Sequence, residues 1–123
     1  MIRGAVLGAD VSRSRSPAIH AAAFRALGIE GHYGAFSVDQ TGFGALVQRL
    51  GAEGYDYLNV TIPHKRAAAR LAGSVSPLAR DMAAANTLIL RRRGQRLAIR
   101  GENTDGYGLL AALGDLGAPA QRG

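Results

Sequence analysis

The stretch Tyr55-Asp56-Tyr57-Leu58-Asn59-Val60-Thr61-Ile62-Pro63-His64-Lys65 decides the fold. Tyr55 to Ile62 is mostly apolar, with aromatic and β-branched side chains, and reads as a buried central strand. Pro63 suits the first position of a helix, and the alanine-rich run to Leu71, closed by Gly73, continues it. A strand that turns directly into a helix is the first half of a parallel crossover unit.

Working upstream, the same alternation recurs. Gly4 to Gly8 is a short apolar run suited to a first strand. Ser16-Pro17 reads as an N-cap followed by a first-turn proline, opening a helix that carries Ile19, Ala23, Phe24 and Leu27 at helical spacing and stops at Gly28. His32 to Val38 is a second strand. Asp39 or Thr41 is expected to cap a helix bearing Phe43, Leu46, Val47 and Leu50, ending at Gly51.

Downstream, Ser76-Pro77 repeats the capping signal for a helix to about Ala84. Thr87 to Arg92 reads as a strand, Gly94 as a turn and Arg96 to Arg100 as a hairpin partner. Asp105 is expected to cap a last helix through about Leu116, ended by Gly117-Ala118-Pro119. Strands alternating with helices predict an α/β domain, a three-layer α/β/α sandwich. Its sheet is mostly parallel, and the late hairpin makes it mixed. Ligands of such sheets bind beyond the carboxyl ends of the strands.

Composition narrows the function classes. With 123 residues, 47% hydrophobic and 20% charged, the chain reads as one globular domain. The absence of cysteine excludes disulfides and thiolate metal sites. His20 and His32 have no metal-ligand spacing, so no metal is expected. The apolar segment after Met1 is too short for a signal-peptide core or a membrane span, and the cytoplasm is the expected compartment.

A net charge of +6 permits anionic ligands, but the bases are scattered apart from Arg91-Arg92-Arg93. No aromatic interleaves with that run, which argues against nucleic acid as a partner. Of the 15 basic residues only Lys65 is lysine. Guanidinium does not release its proton in a protein, whereas an ammonium can. A lone lysine kept against so strong an arginine bias therefore draws attention as a proton carrier.

Four polar clusters could do chemistry: Ser14-Arg15-Ser16-Pro17, Asn59 to Lys65, Ala85-Asn86-Thr87, and Asn103-Thr104-Asp105-Gly106. Ser14 and Ser16 beside a helix N-terminus make a receptor for a carboxylate, with Arg13 and Arg15 adding positive field. Asn59, Thr61 and Asn86 offer the donors and acceptors that read hydroxyls, although each residue type is equally common in turns and caps. Lys65 and Asp105 are the proton-transfer candidates: an acid that orients an ammonium in a partly buried cleft tunes it for acid–base work. His64 is the rival base. It ranks below Lys65 because adjacent helical residues point in different directions, and a packing or turn role is expected for it. Gly106-Tyr107-Gly108-Leu109-Leu110-Ala111 fits a dinucleotide-loop pattern, but neither the return strand nor the distant acid that such a loop requires follows it.

In order and spacing the four clusters resemble shikimate dehydrogenase. That family shows G-N-P-I-x-H-S-x-S-P, N-V-T-[IV]-P-[HF]-K, G-A-V-N-T and N-T-D-G segments. Here Gly8 to Pro17, Asn59 to Lys65, Ala84 to Thr87 and Asn103 to Gly106 stand in those places. Arg13 replaces the usual His, and Ala85 replaces Val. The resemblance implies that Ser14 and Ser16 bind the substrate carboxylate. It implies that Asn59, Thr61, Asn86 and Asp105 bind ring hydroxyls or position the lysine. Lys65 would exchange the proton of the hydroxyl being oxidised, with Asp105 as its partner and NADP as the hydride acceptor.

Residues 1–104 are then expected to be the substrate-binding domain for shikimate and 3-dehydroshikimate. Residues 105–123 would be a linker helix toward a dinucleotide-binding domain that this chain lacks, so that the chain alone turns over little substrate. Alternatives are a quinate-type specificity, a non-catalytic binder of ring hydroxy-acids and, more distantly, an arginine-rich nucleic-acid binder. Homodimer formation is compatible with the sequence.

Overall fold

The computed structural model describes residues 1–105. The elements run β1 (Ile2–Gly8), α1 (Ser16–Leu27), β2 (Gly31–Ser37), α2 (Phe43–Ala52), β3 (Tyr57–Val60), α3 (Lys65–Leu71), β4 (Ser74–Val75), α4 (Pro77–Met82), β5 (Thr87–Arg93) and β6 (Arg96–Glu102). The six strands form one sheet in the order β2-β1-β3-β5-β6-β4. The pairs β1–β2, β1–β3 and β4–β6 run parallel, and β5 runs antiparallel to both β3 and β6. The expected mixed, mostly parallel α/β architecture is therefore present, with helices flanking the sheet.

Alternation along β1 divides the two faces. Ala5 and Leu7 point into the core with Phe43, Val47 and Leu50 of α2, and with Leu58, Ala68 and Leu88. Gly4 and Val6 face the other way, under α1. That face is built on missing side chains: a Cβ on Gly31 would stand 2.5 Å from the Phe24 ring, and one on Gly4 would collide with the Tyr57 ring. Helix α1 thus lies close to β1 and β2 while burying none of its own residues completely.

Several local expectations need correction. Ser16 is the first helical residue and not the cap; Arg15 occupies the cap position without a side-chain bond. The cap position of α2 is Gly42, although Asp39 Oδ1 does accept its amide proton at 2.7 Å. Pro63 does not open α3. The Ile62–Pro63 peptide is cis, and the helix begins two residues later at Lys65. The turn from Thr61 to His64, closed by the His64 amide on the Thr61 carbonyl at 3.1 Å, precedes it. Strand β3 is shorter than the apolar run, leaving out Tyr55 and Asp56 at its start and Thr61 and Ile62 at its end, and β4 escaped notice because two residues carry no period. Helix α4 stops at Met82, where Ala83 adopts a left-handed conformation. Ser76 caps α4 as expected, accepting from the Ala79 amide.

Among the described residues no helix is long and apolar enough to cross a membrane, and no cluster of His, Cys, Asp and Glu could hold a metal ion. The expected last helix and the Gly106–Ala111 pattern lie outside the described residues.

Candidate active site

The site forms where β1, β3 and β6 end. Residue 86 is its hub. The Asn86 amide donates to the Glu102 carbonyl at 3.0 Å, and the Asn86 carbonyl accepts from the Val60 amide at 2.7 Å. One residue earlier, the Ala85 amide donates to the Lys65 carbonyl at 2.9 Å. Three main-chain bonds thus draw the start of α3, the end of β3 and the end of β6 together. Buried backbone groups must be paired, so this junction is obligatory and not incidental.

On that frame a cleft of about 290 Å³ opens, lined by Ser16, Asn59, Thr61, Lys65, Asn86 and Asp105, together with Val6, His20 and Val60. Six of the seven residues singled out from sequence meet in it. The seventh, Ser14, lines an adjoining hollow of about 450 Å³ with Asp10, Val11 and Arg13. Val6, Ser16 and Thr61 belong to both, so the two hollows join along one wall.

Lys65 Nζ donates to Asp105 Oδ2 at 2.6 Å, across 40 positions of sequence. The pair is only partly covered, the lysine side chain 33% exposed and the aspartate 52%. The hydrogen bond from Lys65 holds the Asp105 carboxyl below its usual range, opposed by burial and aided by the lysine charge and the Asn86 amide. Asn86 Nδ2 also donates to Thr104 Oγ1 at 2.7 Å, and the Thr104 amide returns a bond to Asn86 Oδ1 at 3.0 Å. Asp105 is thereby tethered beside Lys65 through its own neighbour.

The two serines divide their work. Ser14 Oγ accepts from the Ser16 amide at 3.2 Å, so Ser14 satisfies the opening of α1. The Ser16 hydroxyl lines the cleft, hydrogen-bonded to the Tyr33 phenol. Arg13 brings positive charge to this end. The exposed Asp10 opposes it, its carboxyl held low by the hydroxyl and amide of Ser12. His64, the rival base, is fully buried: its ring stacks on Phe43 at 4.7 Å, and Nε2 donates to the Val38 carbonyl at 2.7 Å. It packs, as expected, and lies outside the cleft.

One cleft residue went unrecognised. His20 stacks on Tyr33 with ring centroids 4.0 Å apart, and its Nδ1 lies 2.6 Å from the Tyr57 hydroxyl. Burial pushes the Tyr57 phenol up, so the phenol keeps its proton and donates to Nδ1, while burial pushes His20 down toward the neutral ring. Two spacings in the sequence pointed to this group. His20 falls four residues after Ser16 on one helix face, and Tyr57 falls two before Asn59 on one strand face.

A protein-family model described as the shikimate dehydrogenase substrate-binding domain matches residues 6–88. This chain belongs to that family. Among curated relatives, the NADP(+) shikimate dehydrogenase of Symbiobacterium thermophilum is 43% identical over 112 residues, which is 91% of this chain and 37% of that protein. The corresponding enzyme of Methylobacillus flagellatus is 44% identical over 110 residues, 89% of this chain and 39% of that one. The chain therefore spans about two-fifths of the length of these relatives. The crystal structure of shikimate 5-dehydrogenase from Thermus thermophilus with NADP(H) and shikimate superposes with a TM-score of 0.81 at 38% identity, over 97% of this chain and 44% of that chain. Ael1 from Pseudomonas putida superposes with a TM-score of 0.84 at 34% identity, over 97% of this chain and 43% of that one.

The β1–α1 turn does not offer the free amides that would cradle the phosphates of NADP, the cofactor of the relatives. The β1–α1 turn, where a phosphate cradle would stand, holds the Asp10 carboxylate against the Ser12 amide at 3.0 Å.

Proposed function

We propose that this chain is the substrate-binding and proton-transferring half of a cytoplasmic, NADP-dependent shikimate dehydrogenase. Residues 1–104 form the substrate domain, and residues 105–123 lead toward a separate cofactor domain that binds NADP. Bound there, NADP would supply the hydride chemistry at the substrate carbon. Everything else falls to the residues of the cleft.

The observation that carries this is the Lys65–Asp105 pair, 2.6 Å apart on the wall of a cleft whose other polar groups suit a ring acid. Ser14 and Ser16 at one end take the carboxylate. Asn59, Thr61 and Asn86 in the middle take ring hydroxyls. Lys65 at the other end, as the neutral amine, takes the hydroxyl proton while the alcohol becomes a ketone, and as the ammonium gives it back in the reverse direction. Asp105, kept ionised by that same contact, holds Nζ in place and compensates its charge.

Lys65→Ala and Lys65→Arg separate these roles. The enzyme to use carries this domain ahead of a cofactor domain. Both variants are expected to lower kcat by about 10²–10⁴, the usual worth of a positioned acid–base group. The dissociation constant for shikimate should stay within about threefold, because proton transfer is a transition-state contribution. Arginine restores the charge and the ion pair but cannot release a proton, so recovery of turnover in Lys65→Arg would assign Lys65 a purely electrostatic role.

A further inference from the structure

The side chains of the site form a chain of hydrogen bonds whose direction is set by one main-chain group. An amide looks alike when flipped, so its orientation must be read from its partners. The Thr104 backbone N–H can only donate, and it lies 3.0 Å from Asn86 Oδ1, which fixes that atom as the acceptor. The Thr87 hydroxyl donates to the same Oδ1 at 3.2 Å. A hydroxyl has one proton, so the Thr87 oxygen can only accept from its other neighbour. That neighbour is Asn59 Nδ2, at a longer 3.4 Å. Asn59 Oδ1 is then left to face Tyr33, whose hydroxyl donates to it at 2.7 Å. Burial pushes the Tyr33 phenol far up, so that it remains a donor at every ordinary pH.

The backbone explains how such distant residues meet. Asn59 stands directly opposite Thr87 in the antiparallel β3–β5 pair. Tyr33 is on β2, one strand beyond β1, and its opposite number on β1 is Gly4. The Tyr33 hydroxyl reaches across β1 to Asn59, its ring beside that of Tyr57, which fills the space over Gly4.

We propose that Tyr33 and Thr87 are positioning residues that fix the Asn59 carboxamide, so that its second Nδ2 proton faces the cleft and Asn59 reads a ligand oxygen as a donor. The ligand half of this inference rests on the ring hydroxy-acid reading given above. The orientation half does not. Tyr33 and Thr87 are not among the residues that line the cleft. Their other partners differ, Ser16 for Tyr33 and Asn86 for Thr87, and Asn59 is the one they share. Asn86 differs from Asn59: its amide protons go to Thr104 and Asp105, so it holds the acid in addition to any hydroxyl it meets.

The test has two arms. In the free 15N-labelled chain, the two Asn59 Nδ2 protons are expected to have well-separated shifts. That separation should narrow in Tyr33→Phe and Thr87→Val and persist in Thr87→Ser. In titrations with shikimate, Tyr33→Phe and Thr87→Val are each expected to weaken binding about fivefold, the worth of one hydrogen bond. Added to Asn59→Ala, each should cost less than it does alone, because the part acting through Asn59 is gone and only the contact with Ser16 or with Asn86 remains. Unfolding midpoints of the variants identify any that lose binding by losing the fold. Additive losses for either residue, or a Tyr33→Phe chain that binds like the parent, would overturn the inference. A parent chain that does not bind shikimate would overturn the substrate reading, and the spectrum of the free chain would still decide the orientation of Asn59.

Discussion

Lys65 Nζ and Asp105 Oδ2 lie 2.6 Å apart although 40 positions separate them in the chain. Neither residue is placed by its own element alone. The carbonyl of Lys65 is tied to Ala85, and Asp105 follows directly on a segment bound to Asn86. The acid and the amine therefore meet because both are fastened to the same short loop between α4 and β5.

Removing the amine should release the acid. The lysine hydrogen bond is the largest cause holding the Asp105 carboxyl low, so Lys65→Ala is expected to let it rise toward the ordinary aspartate range. The sign follows from linkage. A carboxyl whose folded value is depressed adds stability above its unfolded value, and loses it as pH falls through the folded one. The difference in stability between parent and variant should therefore shrink on acidification below about pH 4. Carbon-detected titration of the Asp105 carboxyl, beside unfolding curves at several pH values, measures both.

His20 should titrate below the usual ~6.5 of a histidine, because burial disfavours its charged form. The groups packed around it are Phe24, Tyr33 and Tyr57, and none supplies a carboxylate to hold an imidazolium. The unfolded chain then binds the proton more readily. Stability contributed here is complete above about pH 6.5 and declines as pH falls toward the folded value. A proton-resolved titration of the imidazole measures it, and a value above about 6.5 would contradict the assignment.

Gly4→Ala tests the glycine on which the aromatic face depends. The added Cβ would collide with the Tyr57 ring, and that ring is held by His20. A loss of about 1–3 kcal/mol is expected, the usual cost of overpacking. Chemical unfolding reads the loss, and displaced His20 resonances locate its source.

The sequence made the architecture legible because its periods were clean. The apolar run around Leu58 and Val60, the Ser76-Pro77 cap and the Gly94 turn all became the elements they suggested. Two kinds of feature stayed hidden. Ser16 looked like a cap, but its neighbour Ser14 does that work, since Ser-x-Ser-Pro leaves two hydroxyls equally able to reach a free amide. His20, Tyr33 and Tyr57 carried no motif, because aromatic residues on strands and helices read as core until the register brings their polar ends together. Lys65, proposed above as the proton carrier, drew attention for the opposite reason: one lysine in a chain rich in arginine is a compositional signal that needs no structure.

The most direct test of the shared cleft is a titration of the 15N-labelled chain with shikimate, followed residue by residue. Shifts concentrated at residues 14–16, 59–65, 86 and 103–105 are expected, with the Lys65 and Asp105 side chains moving together. Shifts that spare this cleft and gather at another surface, such as the hollow lined by Arg91, Arg92 and Arg93, would contradict the account.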